Sequence, residues 1–351
     1  MQQTQDLRVA RIKPLPSPHD IKEARPVTEE MNQWVVESRA AVGRILQGED
    51  DRMLAIVGPC SIHREADALD YARRLEELAR EVSSQMLVVM RAYFEKPRTT
   101  VGWKGLVYDP HMDDSGDMAA GLEQARAIAH AIVGLGLPIG TEALDPLTIR
   151  YFSDLLSWAS VGARTAESQL HRAMASGLSV PVGFKNTTEG SVTPALDAVE
   201  CARAPHVFLG INDRGQISEV RTAGNSLAHV VLRGGRRGTN YEEGDVRTML
   251  GKLAERSLPQ CVIVDCSHGN SAKRPERQRL VLAELIRQRQ AGFKGVVGFM
   301  LESNIEPGAQ QIPTDLSELR YGVSVTDACM GWDETKEVLR EAHHALCAQQ
   351  A

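Results

Sequence analysis

Eight short runs of β-branched and small residues recur along the chain with helix-like segments between them. They are "LAIVG" (54–58), "LVVMR" (87–91), "LPIGT" (137–141), "SVGAR" (160–164), "VPVGFK" (180–185), "HVVLR" (229–233), "CVIVD" (261–265) and "GVVGFML" (295–301). Intervening stretches such as "EADALDYARRLEELAREV" and "PERQRLVLAELIRQRQ" place Leu, Ala and Ile at three- and four-residue spacing with charges opposite, so they read as surface helices. Strand and helix alternating eight times predicts an α/β chain whose parallel strands close into a (β/α)8 TIM barrel.

Two pieces exceed a minimal barrel over residues 51–351. Residues 1–50 form an N-terminal extension, proline-rich at first and then helical across "EEMNQWVVESRAAVGRILQG". Between the fifth and sixth runs, "HVFLGINDRGQISEVRTAGN" alternates apolar and polar residues around Asp213-Arg214-Gly215, which predicts an inserted β-hairpin at about 206–224. Both additions are expected to serve assembly or regulation.

A barrel of this kind carries its chemistry at the carboxyl ends of the strands and in the loops after them. At those positions the sequence has, in order, Cys60, Arg91, Glu142, Arg164, Lys185, Arg233, His268 and Glu302. Arg91, Arg164, Lys185 and Arg233 would repel one another at one mouth unless an anion bound there, and Lys96 and Arg98 of "YFEKPRTTVGWKG" (93–105) add to them. Pro97 fixes one torsion and restricts its neighbour, so Lys96 and Arg98 are held apart and can address different anions, while Gly102 and Gly105 let the backbone turn closely. The net charge is -6, so the cationic focus is local and excludes the diffuse basic surface of a nucleic-acid binder. The implied ligand is a small molecule with several phosphate or carboxylate charges.

Cys60, His268, Glu302, and Asp327 of "SVTDACMGW" combine a thiolate, an imidazole and two carboxylates, a first shell for a divalent transition metal. Thiolate and imidazole favour Fe, Co, Zn or Cu, and the carboxylates keep Mn open. The six cysteines contain no CxxC pair, which predicts neither a disulfide scaffold nor a four-cysteine zinc module and points to a reducing cytoplasm. No apolar signal segment opens the chain and no apolar stretch is long enough to span a bilayer, so neither export nor membrane insertion is expected.

The strings "GPCSIH", "RAYFEKPRTTVGWKG", "GARTAESQ", "PVGFKN", "VVLRGG", "DCSHGNS", "LESN" and "YGVSVTDAC" closely resemble class I 3-deoxy-D-arabino-heptulosonate-7-phosphate (DAHP) synthases of the aromatic-amino-acid-regulated type, from about residue 5 to 345. The resemblance implies the first step of the shikimate pathway: phosphoenolpyruvate, erythrose 4-phosphate and water give the seven-carbon keto sugar acid phosphate and inorganic phosphate. Position by position it implies metal ligands at Cys60, His268, Glu302 and Asp327. It implies phosphoenolpyruvate contacts at Arg91, Lys96, Arg164, Lys185 and Arg233 with Glu142 nearby, and an erythrose 4-phosphate loop at Lys96, Pro97, Arg98 and Thr99. Lys96, Glu142 and His268 are its catalytic candidates.

The same resemblance implies a cytoplasmic homodimer or homotetramer under feedback by an aromatic amino acid, with tyrosine favoured. Asp145 and Ser179 match positions lining the family's effector pocket, and the nearby Ile149 and Arg150 replace the proline and glutamine common in relatives. Smaller departures are Ala166, Thr187 and Glu189, which adjoin matched contacts without replacing them. Three other readings stay open at this level. A Schiff-base aldolase would use Lys185 as a covalent amine that borohydride traps, whereas a metal enzyme would lose activity to a chelator. A catalytically silent amino-acid sensor would keep the fold without turnover. A synthase of the eight-carbon acid would prefer arabinose 5-phosphate.

Overall fold

The computed structural model describes residues 4–348, so residues 1–3 of the extension and 349–351 at the other end lie outside the described residues. Ser17 and Thr28 start the first two helices. The Ser17 hydroxyl accepts from the Asp20 N–H while Asp20 reaches back to the Ser17 N–H, a capping box that opens α1 (Pro18–Ala24). Thr28 caps α2 (Glu29–Gln47), and Gly48 ends it in a left-handed conformation.

The chain continues with β1 (Met53–Gly58), α3 (Glu65–Glu81), β2 (Met86–Arg91), α4 (Met118–Gly134), β3 (Ile139–Glu142) and β4 (Leu156–Val161). It then runs through α5 (Gln169–Gly177), β5 (Val182–Lys185), α6 (Thr193–Ala202) and the antiparallel hairpin β6 (Val207–Ile211) and β7 (Ile217–Arg221). The last elements are β8 (His229–Leu232), α7 (Glu243–Glu255), β9 (Val262–Asp265), α8 (Gln278–Gln290), β10 (Val296–Glu302) and α9 (Trp332–Cys347). Excluding the hairpin, eight parallel strands close in the order β1-β10-β9-β8-β5-β4-β3-β2. The chain is therefore the (β/α)8 barrel that its periodicity implies.

Two local expectations are corrected. The fourth strand is "LSWASV" rather than "SVGAR": Gly162–Arg164 leaves the sheet and forms the loop beyond it. Ser157 and Ser160 hide this strand in the sequence, yet both are fully buried, because a strand enclosed on both faces need not alternate in polarity. The third crossover has no α-helix; two 3₁₀ turns over Thr148–Tyr151 and Ser153–Leu155 replace it. Pro146 and the β-branched Thr148 and Ile149 disfavour a longer helix in a connection this short.

The extension covers what that short crossover leaves open. Arg39 of α2 donates to the Leu156 and Ser153 carbonyls, both at 2.8 Å, at the start of β4. Val42, Ile45 and Leu46 of α2 pack into one cluster with Leu54, Ile56, Val89, Trp158, Val231, Ile263 and Met300 of the strands. The amino end of the barrel is thereby filled, and the carboxyl end is left for chemistry. Within this cluster the Trp158 indole donates to His229 Nε2 at 3.2 Å, and burial pushes the His229 pKa down to about 4, so the imidazole is a neutral packing group.

Arg126 of α4 is 1% exposed and ties these parts together. Its two terminal nitrogens bind the Asp154 carboxylate at 2.9 Å each, and it also donates to the carbonyls of Tyr151 and of Arg25 in the extension, both at 3.0 Å. Arg126→Leu is expected to cost about 3 kcal/mol in urea unfolding, the lower end of the range for breaking a buried pair, because Asp154 keeps a third of its side chain in water.

Candidate active site

Closing the sheet gathers residues that are far apart in sequence. Arg91, Glu142, Lys185, Asp265 and Glu302 are each the last residue of a strand, so parallel closure sets all five on one rim. Arg233 follows β8 directly, and Cys60, Arg164 and His268 stand two or three residues beyond their strands. Arg91 has no exposed surface; it donates to Glu302 Oε1 at 3.0 Å, lies 4.1 Å over the Tyr93 ring, and leaves Nη1 buried without a hydrogen-bond partner. A buried donor without a partner is the mark of a site awaiting an acceptor. Gly162 permits this crowding, since a Cβ there would lie 2.1 Å from Glu142 Oε1.

Asp265 is the residue of the candidate site that reading the sequence missed. Fully buried at the end of β9, it accepts from Lys185 Nζ at 2.7 Å and faces His268 Nδ1 at 2.9 Å. Burial alone would raise its pKa, but His268 and Lys185 overcome that and hold it well below the usual carboxylate range. The signal was available, because Asp265 closes the run "CVIVD"; attention to the loop beyond it selected His268 instead. Its charge keeps Lys185 protonated: burial would lower the lysine pKa, yet Asp265 and Tyr93 raise it. A Schiff-base lysine needs the reverse.

His268 adopts a left-handed backbone (φ 55), uncommon outside glycine and characteristic of functional loops. With Nδ1 fixed beside Asp265, its Nε2 comes 3.8 Å from Glu302 Oε1. The donor atoms of Cys60, Glu302 and Asp327 all lie within 4.8 Å of one another. The structure thus brings three of the four expected ligands into one cluster and sets the fourth imidazole beside it. These residues fit a divalent cation: a thiol and two carboxylates converge, and the carboxylate–histidine arrangement orients the remaining nitrogen.

Lys96 borders the same cluster. Its Nζ donates to the Cys60 carbonyl at 3.0 Å and contacts Cys60 Sγ at 3.1 Å. Burial would lower its pKa, but Cys60, Glu302 and Glu142 outweigh that and keep it a cation. A cavity of about 300 Å³ opens above, lined by Lys96, Pro97, Arg98, Thr99, Glu142, Arg164, Lys185, Arg233, His268 and Asp327. Arg164 and Thr99 join across it at 3.1 Å, whereas Arg98 turns back to the Trp103 carbonyl at 2.8 Å. Gly105 (φ 109) makes that fold possible, since a Cβ would lie 2.4 Å from the Phe94 carbonyl oxygen.

The effector candidates sit apart from the mouth and face different partners. Asp145 Oδ1 accepts from the Leu147 and Thr148 N–H groups, and its Oδ2 accepts from the Tyr108 hydroxyl. Ile149 is 1% exposed and belongs to the core, Ser179 is exposed, and Arg150 pairs with Asp213 of the hairpin turn at 2.8 Å.

A family model described as "DAHP synthetase I family" matches residues 25–340. The chain is 49% identical over 335 residues to the Tyr-sensitive phospho-2-dehydro-3-deoxyheptonate aldolase of Escherichia coli K12, covering 95% of this chain and 94% of that one. It is 45% identical to the Phe-sensitive protein of the same organism, with 99% of each chain covered. A solved phospho-2-dehydro-3-deoxyheptonate aldolase from Francisella tularensis superposes with a TM-score of 0.95 at 40% identity, covering 98% of this chain and 100% of that one.

Cys60→Ser is expected to leave the barrel folded and to weaken divalent-cation binding at least as much as the roughly 10–100-fold cost of losing an outer partner. Competition with a chromogenic chelator measures it, and unchanged affinity would remove Cys60 from the cation site.

Proposed function

The chain belongs to the DAHP synthetase I family, and from that premise we infer how its barrel mouth condenses phosphoenolpyruvate with erythrose 4-phosphate and water to give DAHP and inorganic phosphate. The observation that carries this reading is the juxtaposition, on one rim, of a buried cationic floor with a thiol–carboxylate cluster. A divalent transition cation held by Cys60, His268, Glu302 and Asp327, with Mn, Fe, Co and Zn all compatible, would supply Lewis acidity to the aldehyde oxygen.

Arg91, Arg164, Lys185 and Arg233 would hold the carboxylate and phosphate of phosphoenolpyruvate, and Pro97, Arg98 and Thr99 the distal phosphate of the aldose. C3 of the enol phosphate forms the new bond to the aldehyde carbon. Lys96, a cation beside Cys60, stabilises the alkoxide that develops on the aldehyde oxygen and can protonate it. Water adds to the electron-poor C2 and gives its proton to Glu142. The hemiketal hydroxyl then gives its proton to the leaving phosphate as the C2=O bond forms and the C2–O(phosphate) bond breaks, and Arg164, Lys185 and Arg233 balance the departing charge. Lys185, paired with Asp265, serves as a charge and not as an amine nucleophile.

Two further readings belong with this one. On one face of the hairpin Val207, Leu209 and Ile217 are 51%, 73% and 79% exposed beside the Glu219–Arg221 ion pair, a mixed apolar and charged surface suited to a homodimer or homotetramer. Asp213 joins three elements expected to carry regulation, since it binds Lys22 of α1, Arg150 after β3, and lies in the hairpin turn. That junction suits feedback by an aromatic amino acid, with tyrosine favoured.

Arg98→Ala is expected to raise KM for erythrose 4-phosphate far more than KM for phosphoenolpyruvate, and Arg164→Ala to do the reverse, each lost contact costing about 1.5–3 kcal/mol. Steady-state DAHP formation measures both, and equal effects on the two substrates would reject the division. With tyrosine, phenylalanine and tryptophan added singly, tyrosine should inhibit most, and the substrates should reciprocally weaken its binding. Stronger inhibition by either of the others would overturn that choice.

A further inference from the structure

Glu95, the residue before Lys96, has no place in the chemistry above, yet it is 2% exposed. Its Oε2 accepts from the Thr148 hydroxyl at 2.8 Å, and its Oε1 is buried without a hydrogen-bond partner. Thr148, itself 4% exposed, belongs to the 3₁₀ turn that replaces the third crossover helix. The charged or titratable groups facing Glu95 are Asp145, Tyr108 and Glu142, two carboxylates and a phenol. An ionised Glu95 would therefore meet the charge of two carboxylates and keep one oxygen unsolvated, a combination that favours the neutral acid. Burial, with Asp145 and Glu142 adding to it, outweighs the opposing hydrogen bonds from Thr148 and Tyr108 and pushes its pKa up to about 8.

The backbone around Glu95 has little freedom to absorb a change there. The Lys96 N–H donates to the Lys104 carbonyl at 2.8 Å and the Val107 N–H to the Phe94 carbonyl at 3.2 Å, closing the loop over this segment. Gly105 lies against it so closely that a Cβ would meet Glu95 Cα at 2.7 Å. A displacement of Glu95 must therefore carry Lys96, whose Nζ is held at Cys60.

We propose that Glu95 is a positioning residue for Lys96: as a neutral acid it lets the loop after β2 rest against the turn after β3 beside Asp145 and Glu142, and on ionisation the repulsion from those two carboxylates withdraws Lys96 from its place beside Cys60. The proposal rests on the role given to Lys96 above. Because the folded-state pKa is raised, the neutral form is present below about 8 and is lost as pH rises through that value, so turnover should fall on the alkaline side.

The test compares wild type with Glu95→Gln, which keeps an acceptor for Thr148 and removes the titration. With saturating manganese and both substrates, wild-type kcat should decline about tenfold per pH unit above the midpoint, while Glu95→Gln should match wild type at neutral pH and lack that decline. An alkaline limb of the same midpoint in Glu95→Gln would overturn the proposal, as would a loss of kcat that is equal at every pH. Infrared spectroscopy of the wild-type holoenzyme supplies a readout independent of turnover. A protonated-carboxyl band should disappear with the same midpoint as the kcat limb, and a mismatch or no such band would overturn the proposal even where Glu95→Gln fails to fold. A protein that forms no DAHP at any pH would overturn the functional reading instead, and the infrared titration would then still decide whether Glu95 holds a proton.

Discussion

The charge of Asp265 is the interaction on which the rest of the barrel mouth depends. Placed without exposed surface among Lys185, His268 and Arg91, it allows cations to gather at the buried carboxyl end of a closed barrel. Arg91 and Glu302 repeat the device one strand away. In a low-dielectric site neither sign could accumulate alone, and interleaving the two keeps each group ionised. The internal carboxylates hold the cations in place. The orphaned Arg91 Nη1 is the part of this network that protein groups leave unanswered.

That mouth requires a firm floor, and the extension provides it. α2 presses its apolar face against the inward residues of the strands and secures the start of β4 through Arg39. The missing third crossover helix is part of the same arrangement. Two 3₁₀ turns leave room for the extension to dock on Arg126, and they carry Thr148 to the buried carboxylate that precedes Lys96. One short connection thus touches both the scaffold and the loop that carries Lys96. This is the region where the chain breaks the simplest version of its own repeat, as functional sites often do.

Periodicity alone established the barrel class, because eight apolar runs with amphipathic stretches between them admit few other closures. It also placed the hairpin, whose alternating residues and Asp213-Arg214-Gly215 turn are local signals. Most of the candidate mouth was legible for the same reason: a residue at the end of a strand is a statement about sequence once the strand is known. Arg164 was named although its strand was misplaced, since the expected run of 160–164 ended in the loop that follows β4. The fourth strand itself was obscured by Ser157 and Ser160, whose burial depends on neighbours that no local window contains.

What the sequence determined by itself was a set of chemical groups and the order in which a barrel would present them. Only the tertiary structure decided which groups pair. Asp265 with Lys185, Arg91 with Glu302, and Glu95 with Thr148 join residues separated by 80, 211 and 53 positions. Ionisation follows from those pairings together with burial, and neither is written in any single segment. The proton on Glu95 is the clearest case: its side chain is an ordinary carboxylate in the sequence, and it becomes a neutral acid only because folding removes water and sets Asp145 and Glu142 near it.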